Sequence, residues 1–236
     1  MTDDRLIVAL DFPTMAEAKD LVLELGDTVS YYKVGMELFY SAGPETVLWL
    51  KENNKKVFLD LKLHDIPNTV AGGLCSLMSL GADMMNVHTQ GGYTMMNTAM
   101  DRLRKAAEEA GRHCPDVIGV TILTSIGEDD WSGLGETETI SDKVIRLARL
   151  SQSAGLSGVV ASPVEAENIR RSCGKDFMIV TPGIRPAGSA KDDQSRIATP
   201  SAALHNGATH LVIGRPIRSA ADPKGAALKI INEMQS

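Results

Sequence analysis

Eight short apolar runs, each followed by an amphipathic stretch, constrain this chain more than any other feature. The runs cover residues 6–10, 30–34, 57–61, 84–87, 117–121, 158–161, 177–181 and 210–213. Apolar runs of this length, bounded by turn residues, read as buried strands. The stretches 14–25, 44–53, 69–80, 93–110, 141–154, 163–172, 201–206 and 223–234 read as helices. Several open on Pro or a capping residue and close near a glycine such as Gly26, Gly81, Gly111, Gly155 or Gly207. Strand alternating with helix implies a parallel sheet. Eight such units in 236 residues match the usual length of a closed barrel. The expectation is an α/β chain folded as one (β/α)8 TIM barrel, a single domain over residues 1–236 with no linker or low-complexity tract.

Charge and cysteine usage narrow the function. The net charge of −6 disfavours nucleic acid or an anionic membrane as the main partner, while leaving room for one basic pocket. Cys75, Cys114 and Cys173 are scattered and odd in number, with no CxxC pair, so a structural metal site is not expected. Reduced thiols and a cytoplasmic location are the simplest expectation. The acidic start Met1-Thr2-Asp3-Asp4-Arg5 lacks the basic and apolar regions of a signal peptide. No run approaches the ~20 apolar residues of a membrane span. The eleven methionines read as core filling.

In a barrel of this kind, the residues at the C-terminal ends of the strands carry the chemistry. Here they are Asp11, Lys33, Asp60 with Lys62, His88, Thr124, Arg185 and Arg215. Asp60 and Lys62 are two apart and so share a strand face. Asp65 lies just past them, before the turn at Pro67. An acid, a base and an acid converging at one strand end are expensive if any is left unpaired, about 3–5 kcal/mol. The plainer alternative is a surface salt bridge. Gly183 and Gly214-Arg215 follow the seventh and eighth strands, where barrels usually hold phosphate. Glycine lets a backbone N–H approach a phosphate oxygen, and arginine adds two charge-assisted bonds. Two long connections, 123–140 and 183–199, follow the fifth and seventh strands and read as loops or lids over the same face. His64 and His88 read as supporting histidines.

The run Phe58-Leu59-Asp60-Leu61-Lys62-Leu63-His64-Asp65-Ile66-Pro67-Asn68-Thr69-Val70 resembles the active-site signature of the orotidine 5′-phosphate decarboxylase family. Four further segments agree in order: Val8-Ala9-Leu10-Asp11, Tyr32-Lys33-Val34-Gly35, Thr181-Pro182-Gly183-Ile184-Arg185 and Val212-Ile213-Gly214-Arg215-Pro216. The resemblance covers nearly the whole chain. It implies conversion of orotidine 5′-monophosphate (OMP) to UMP and CO2 in pyrimidine synthesis, without cofactor or metal. Lys62 would stabilise and protonate the C6 carbanion, with Asp60 and Asp65 keeping it charged. Asp11 and Lys33 would contact the ribose. Thr124 would recognise the pyrimidine amide, with Thr121 and Ser125 as close alternatives. Arg185, Gln194, Gly214 and Arg215 would hold the phosphate. The resemblance also implies a homodimer with shared active sites, Asp65 and Thr69 reaching into the neighbouring subunit's site.

The Asp-x-Lys-x-x-Asp core is shared with a magnesium-dependent sister, 3-keto-L-gulonate-6-phosphate decarboxylase. That family carries a glutamate where this chain has Lys33, and a lysine there would repel the cation. A non-catalytic nucleotide-binding barrel would require loss of Asp60 or Lys62, and both are present. A barrel isomerase would share only the phosphate loops.

Overall fold

The computed structural model describes residues 2–186 and 198–235. Its strands are β1 (Leu6–Ala9), β2 (Tyr31–Gly35), β3 (Lys56–Leu63), β4 (Met84–His88), β5 (Asp116–Val120), β6 (Gly158–Val160), β7 (Met178–Thr181) and β8 (His210–Ile213). All neighbours pair in parallel, and β8 returns to β1, so the sheet closes. The helices are α1 (Met15–Leu25), α2 (Met36–Ala42), α3 (Glu45–Glu52), α4 (Pro67–Ser79), α5 (Gly92–Glu109), α6 (Glu128–Gly133), α7 (Ile140–Ser153), α8 (Ala166–Cys173), α9 (Pro200–His205), α10 (Arg215–Arg218) and α11 (Pro223–Met234).

Hydroxyl and carboxylate caps explain several helix starts. Thr14, Thr139, Thr199 and Asp222 each accept from a main-chain N–H in the first turn of α1, α7, α9 and α11. Each such cap stabilises its helix by about 1 kcal/mol. Three helices were not expected. α2 follows β2 without a loop, α10 follows Gly214, and α6 lies inside the connection 123–140. That connection therefore has structure of its own. Glu128, Asp129 and Asp130 fill the first turn of α6, where the helix dipole favours acids.

The two-residue period of each strand divides the core. Ile7, Ala9, Tyr31, Phe58, Met84, Ile118, Val180 and Val212 form one apolar cluster. Residues one position away along the same strands, such as Val8, Tyr32, Leu59 and Met85, join the cluster formed with the helices. Burying each side chain of this size contributes about 1.5–3 kcal/mol. Met84, Met85, Met95, Met96, Met100 and Met234 are all buried there, as expected of core methionines. The three cysteines are free thiols.

Candidate active site

The strand period that sets apolar residues in the barrel also sets charged ones at its C-terminal mouth. Two residues beyond Tyr31 is Lys33, two beyond Phe58 is Asp60, and two beyond Met84 is Asn86. Their side chains meet. Lys33 Nζ lies 2.9 Å from Asp11 Oδ1 and 3.2 Å from Asp60 Oδ2. Asp60 Oδ1 lies 2.6 Å from Lys62 Nζ. The result is one alternating chain, Asp11–Lys33–Asp60–Lys62, drawn from three strand ends. Gly35 makes room for it: a Cβ there would stand 2.9 Å from Lys33 Nζ.

Burial opposes ionisation of both Lys33 and Asp60, and their partners outweigh it. Asp60 is held below the usual carboxylate range by Lys33, Lys62 and a hydrogen bond from Asn86. Lys33 is held above the usual lysine range by Asp60 and Asp11. Both groups are therefore charged at neutral pH, in a setting where an unpaired charge would be driven neutral.

Lys62 does not sit on a regular strand. Its φ is +53°, a left-handed conformation uncommon for a residue with a Cβ. The β3–β4 register shifts between Leu59 and Leu63. The Lys62 N–H donates to Asn86 Oδ1 at 2.8 Å, and Asn86 Nδ2 donates to Asp60 Oδ1 at 2.7 Å. Asn86 is 1% exposed and binds both members of the Asp60–Lys62 pair. Strain of this kind, on the order of 1–3 kcal/mol, persists only where surrounding contacts hold it. Asp60 and Lys62 thus do meet, but across a bulge rather than by plain alternation. Asn86 was missed at the sequence level; the visible signal was one amide inside the apolar run of β4.

Asp65 does not join this pair within the chain. It is exposed, its Oδ1 accepts from Ile66 N at 2.6 Å, and it forms no ion pair among the described residues. The expected acid–base–acid convergence is therefore incomplete within this chain. Thr69, in the first turn of α4, is also exposed. Ile66, between them, is 67% exposed. His64 and His88 stack beside the mouth with ring centroids 5.4 Å apart. Burial, His64 and Lys62 all push His88 below the usual histidine range.

Two adjoining cavities open at this mouth. One, of about 290 Å³, is lined by Lys33, Asp60, Lys62, Thr124 and Ser125 among others. The other, of about 150 Å³, is lined by Asp11, Lys33, Gly183, Arg185, Gly214, Arg215 and Arg218. Lys33, Pro182 and Val212 belong to both. Thr121 is spent on the barrel wall, donating to Val160 O at 2.8 Å, which leaves Thr124 and Ser125 facing the larger cavity. Gly183 takes φ +77°, a conformation that favours glycine. Gln194 lies outside the described residues. Together the two cavities gather five cationic side chains (Lys33, Lys62, Arg185, Arg215, Arg218) and two carboxylates (Asp11, Asp60). A chain of net charge −6 has thus built a cationic mouth, suited to an anionic small molecule.

Known proteins share this architecture. The family model for the Orotidine 5′-phosphate decarboxylase / HUMPS family matches residues 4–230. An orotidine 5′-phosphate decarboxylase of Moorella thermoacetica is 48% identical over 233 residues, covering 98% of this chain and 92% of that protein. One of Glaesserella parasuis is 48% identical over 231 residues, covering 98% of each. The crystal structure of orotidine 5′-phosphate decarboxylase from Lactobacillus acidophilus superposes with a TM-score of 0.87 at 39% identity, over 99% of this chain and all of that one.

Proposed function

Because this chain belongs to the orotidine 5′-phosphate decarboxylase family, we propose how the mouth of its barrel divides the work of that reaction. The protein is a carboxy-lyase that converts OMP to UMP and CO2 in pyrimidine synthesis. The pyrimidine occupies the larger of these two cavities, against Thr124, and the phosphate occupies the smaller, against Arg185, Gly214 and Arg215; Gln194, outside the described residues, is assigned to the phosphate by the family resemblance alone. Lys33, which lines both cavities, stands with Asp11 at the ribose between them.

The observation that carries the mechanism is the alternating chain ending at Lys62. In decarboxylation the C6–carboxylate bond breaks, CO2 departs and the electron pair stays on C6. No carbonyl adjoins C6 to share that charge. Lys62 stabilises it as a preplaced cation and then transfers a proton from Nζ to C6. Lys62 regains its proton from solvent after UMP forms. Asp60, held ionised by Lys33 and Asn86, orients Lys62 and faces the departing carboxylate. Lys33 also argues against the magnesium-dependent sister, since its ammonium occupies the position where a cation's ligand would be needed.

The reading includes a homodimer, with Asp65 and Thr69 serving the partner's site. Their exposure beside Ile66, and the incomplete pairing of Lys62 within one chain, support it. It also includes a cytoplasmic location; no helix among the described residues is long and apolar enough to cross a membrane. The test is loss of OMP absorbance by the purified protein with no added cofactor, with and without EDTA. Undiminished turnover in EDTA is expected. Activity abolished by EDTA and restored by Mg²⁺ would instead favour the metal-dependent sister.

A further inference from the structure

Arg218 ends the four-residue helix α10 and lines the smaller cavity with Arg185, Gly214 and Arg215. Its guanidinium sits 5.6 Å from the centre of the Phe12 ring. Its Nη1 donates to the main-chain oxygen of Asp11. Its Nε is buried without a hydrogen-bond partner. Among the described residues it forms no ion pair.

Stability alone does not account for this arrangement. A guanidinium has five N–H donors, and among the described residues the only side-chain hydrogen bond of Arg218 uses one of them. It stands in a cavity that already holds two other arginines, and like charges at close range repel. A carbonyl oxygen does not neutralise it. A dianion in the same cavity would. Stacking on Phe12 and the bond to Asp11 hold the side chain in one place, so little freedom remains to be lost when an anion arrives.

The bond to Asp11 gives the contact a second consequence. Asp11 begins the chain that runs through Lys33 and Asp60 to Lys62. We propose that Arg218 is a further substrate-positioning residue, pairing with the phosphate of the nucleotide and, through the Asp11 main chain, tying phosphate occupancy to the Asp11–Lys33 pair at the ribose. This rests on the assignment of the smaller cavity to phosphate.

The test is calorimetric binding of UMP and of uridine to wild type and to Arg218→Met and Arg218→Lys, with kcat and KM for OMP on each. For Arg218→Met, UMP affinity should fall about tenfold, as for one lost charge-assisted contact, while uridine affinity stays within about twofold. Its KM for OMP should rise more than its kcat falls. Arg218→Lys, which keeps the charge and packs similarly, should lie between. If Arg218→Met does not fold, the lysine variant decides: a loss for UMP exceeding that for uridine supports the proposal. Equal losses for UMP and uridine, or none, would make Arg218 a structural residue of the barrel rim. Wild type that binds UMP more tightly than uridine but does not turn over OMP would sink the decarboxylase reading, while the binding ratios would still decide the role of Arg218.

Discussion

At the N-terminal mouth the barrel encloses a cavity of about 470 Å³, larger than either the 290 Å³ or the 150 Å³ cavity at the opposite end. Both mouths are charged, but their charges are used differently. At the N-terminal mouth Lys56 pairs with Asp4 with both side chains about half exposed. Asp83 pairs with Lys51 and also accepts from Val57 N, closing the start of β3. These contacts finish backbone ends and seal loops. At the C-terminal mouth the side chains of Lys33 and Asp60 are 10% and 14% exposed, and each serves two opposite charges. A left-handed lysine stands at the end of the row. Buried coupled charges and held strain mark a place built for chemistry. Cavity volume does not, and by volume alone the wrong end would be chosen.

The sharpest way to break this contrast is to remove the end of the row. Lys62→Ala should lower kcat by at least ~10²–10³-fold, the usual cost of losing one preplaced charge-stabilising donor. Its melting temperature should stay near that of wild type, because Asp60 keeps Lys33 and Asn86 as partners. Near-normal kcat in a folded variant would take Lys62 out of the mechanism.

Asp65 stands exposed, outside the Lys62 pair within one chain, and is the next residue to remove. Asp65→Ala and Lys33→Ala should each be nearly inactive. If Asp65 is donated in trans while Lys33 acts in cis, a mixed dimer holds one site with both defects and one with neither. Subunit exchange between the two variants should then restore activity approaching about a quarter of wild type, from random pairing of independent sites. Absence of recovery after demonstrated exchange would place both residues in the same site.

Asn86→Leu tests whether the strain is held from β4. The substitution leaves the Lys62 N–H and one Asp60 oxygen without their amide partner, a stability loss of about 1–3 kcal/mol. With Lys62 less well placed, kcat should fall by about tenfold, less than on losing Lys62 itself. Loss of stability with unchanged kcat would make Asn86 a barrel residue only.

Asn86 also shows where reading the sequence stops. The eight β/α units were legible because burial imposes a period of two on strands, and amphipathic helices punctuate them. Asp11, Lys33, Asp60 and Lys62 were legible because barrel topology places strand ends together. The bulge was not, since strand alternation assumes regular geometry, and a left-handed lysine has no local signature. α6 was hidden by Gly127, Gly133 and Gly135, which read as loop residues; Gly127 is in fact the cap before the helix, and Gly133 ends it. The proposed part of a second subunit in the site would leave no mark in the spacing of residues; within one chain it leaves only exposed polar groups such as Asp65.

The smallest effect belongs to the N-terminal mouth and sharpens the comparison from the other side. His210 packs edge-on to Tyr31, with ring centroids 6.2 Å apart, and burial pushes it below the ordinary 6.5. A histidine whose folded pKa is depressed binds its proton more readily when unfolded. Stability is therefore lost as pH falls below about 6.5 toward the folded pKa, by at most about 1.4 kcal/mol per pH unit for one group. His88, at the C-terminal mouth, is shifted the same way by burial, His64 and Lys62, so it adds to the wild-type slope alongside His210. His210→Gln should remove only one of the two contributions. Denaturant unfolding between pH 5 and pH 7 should show a shallower loss of stability in the variant, while its kcat and KM for OMP at neutral pH match wild type. An altered kcat would mean that the two mouths communicate through the barrel interior. An unchanged slope would mean that His210 does not contribute to the pH dependence of stability.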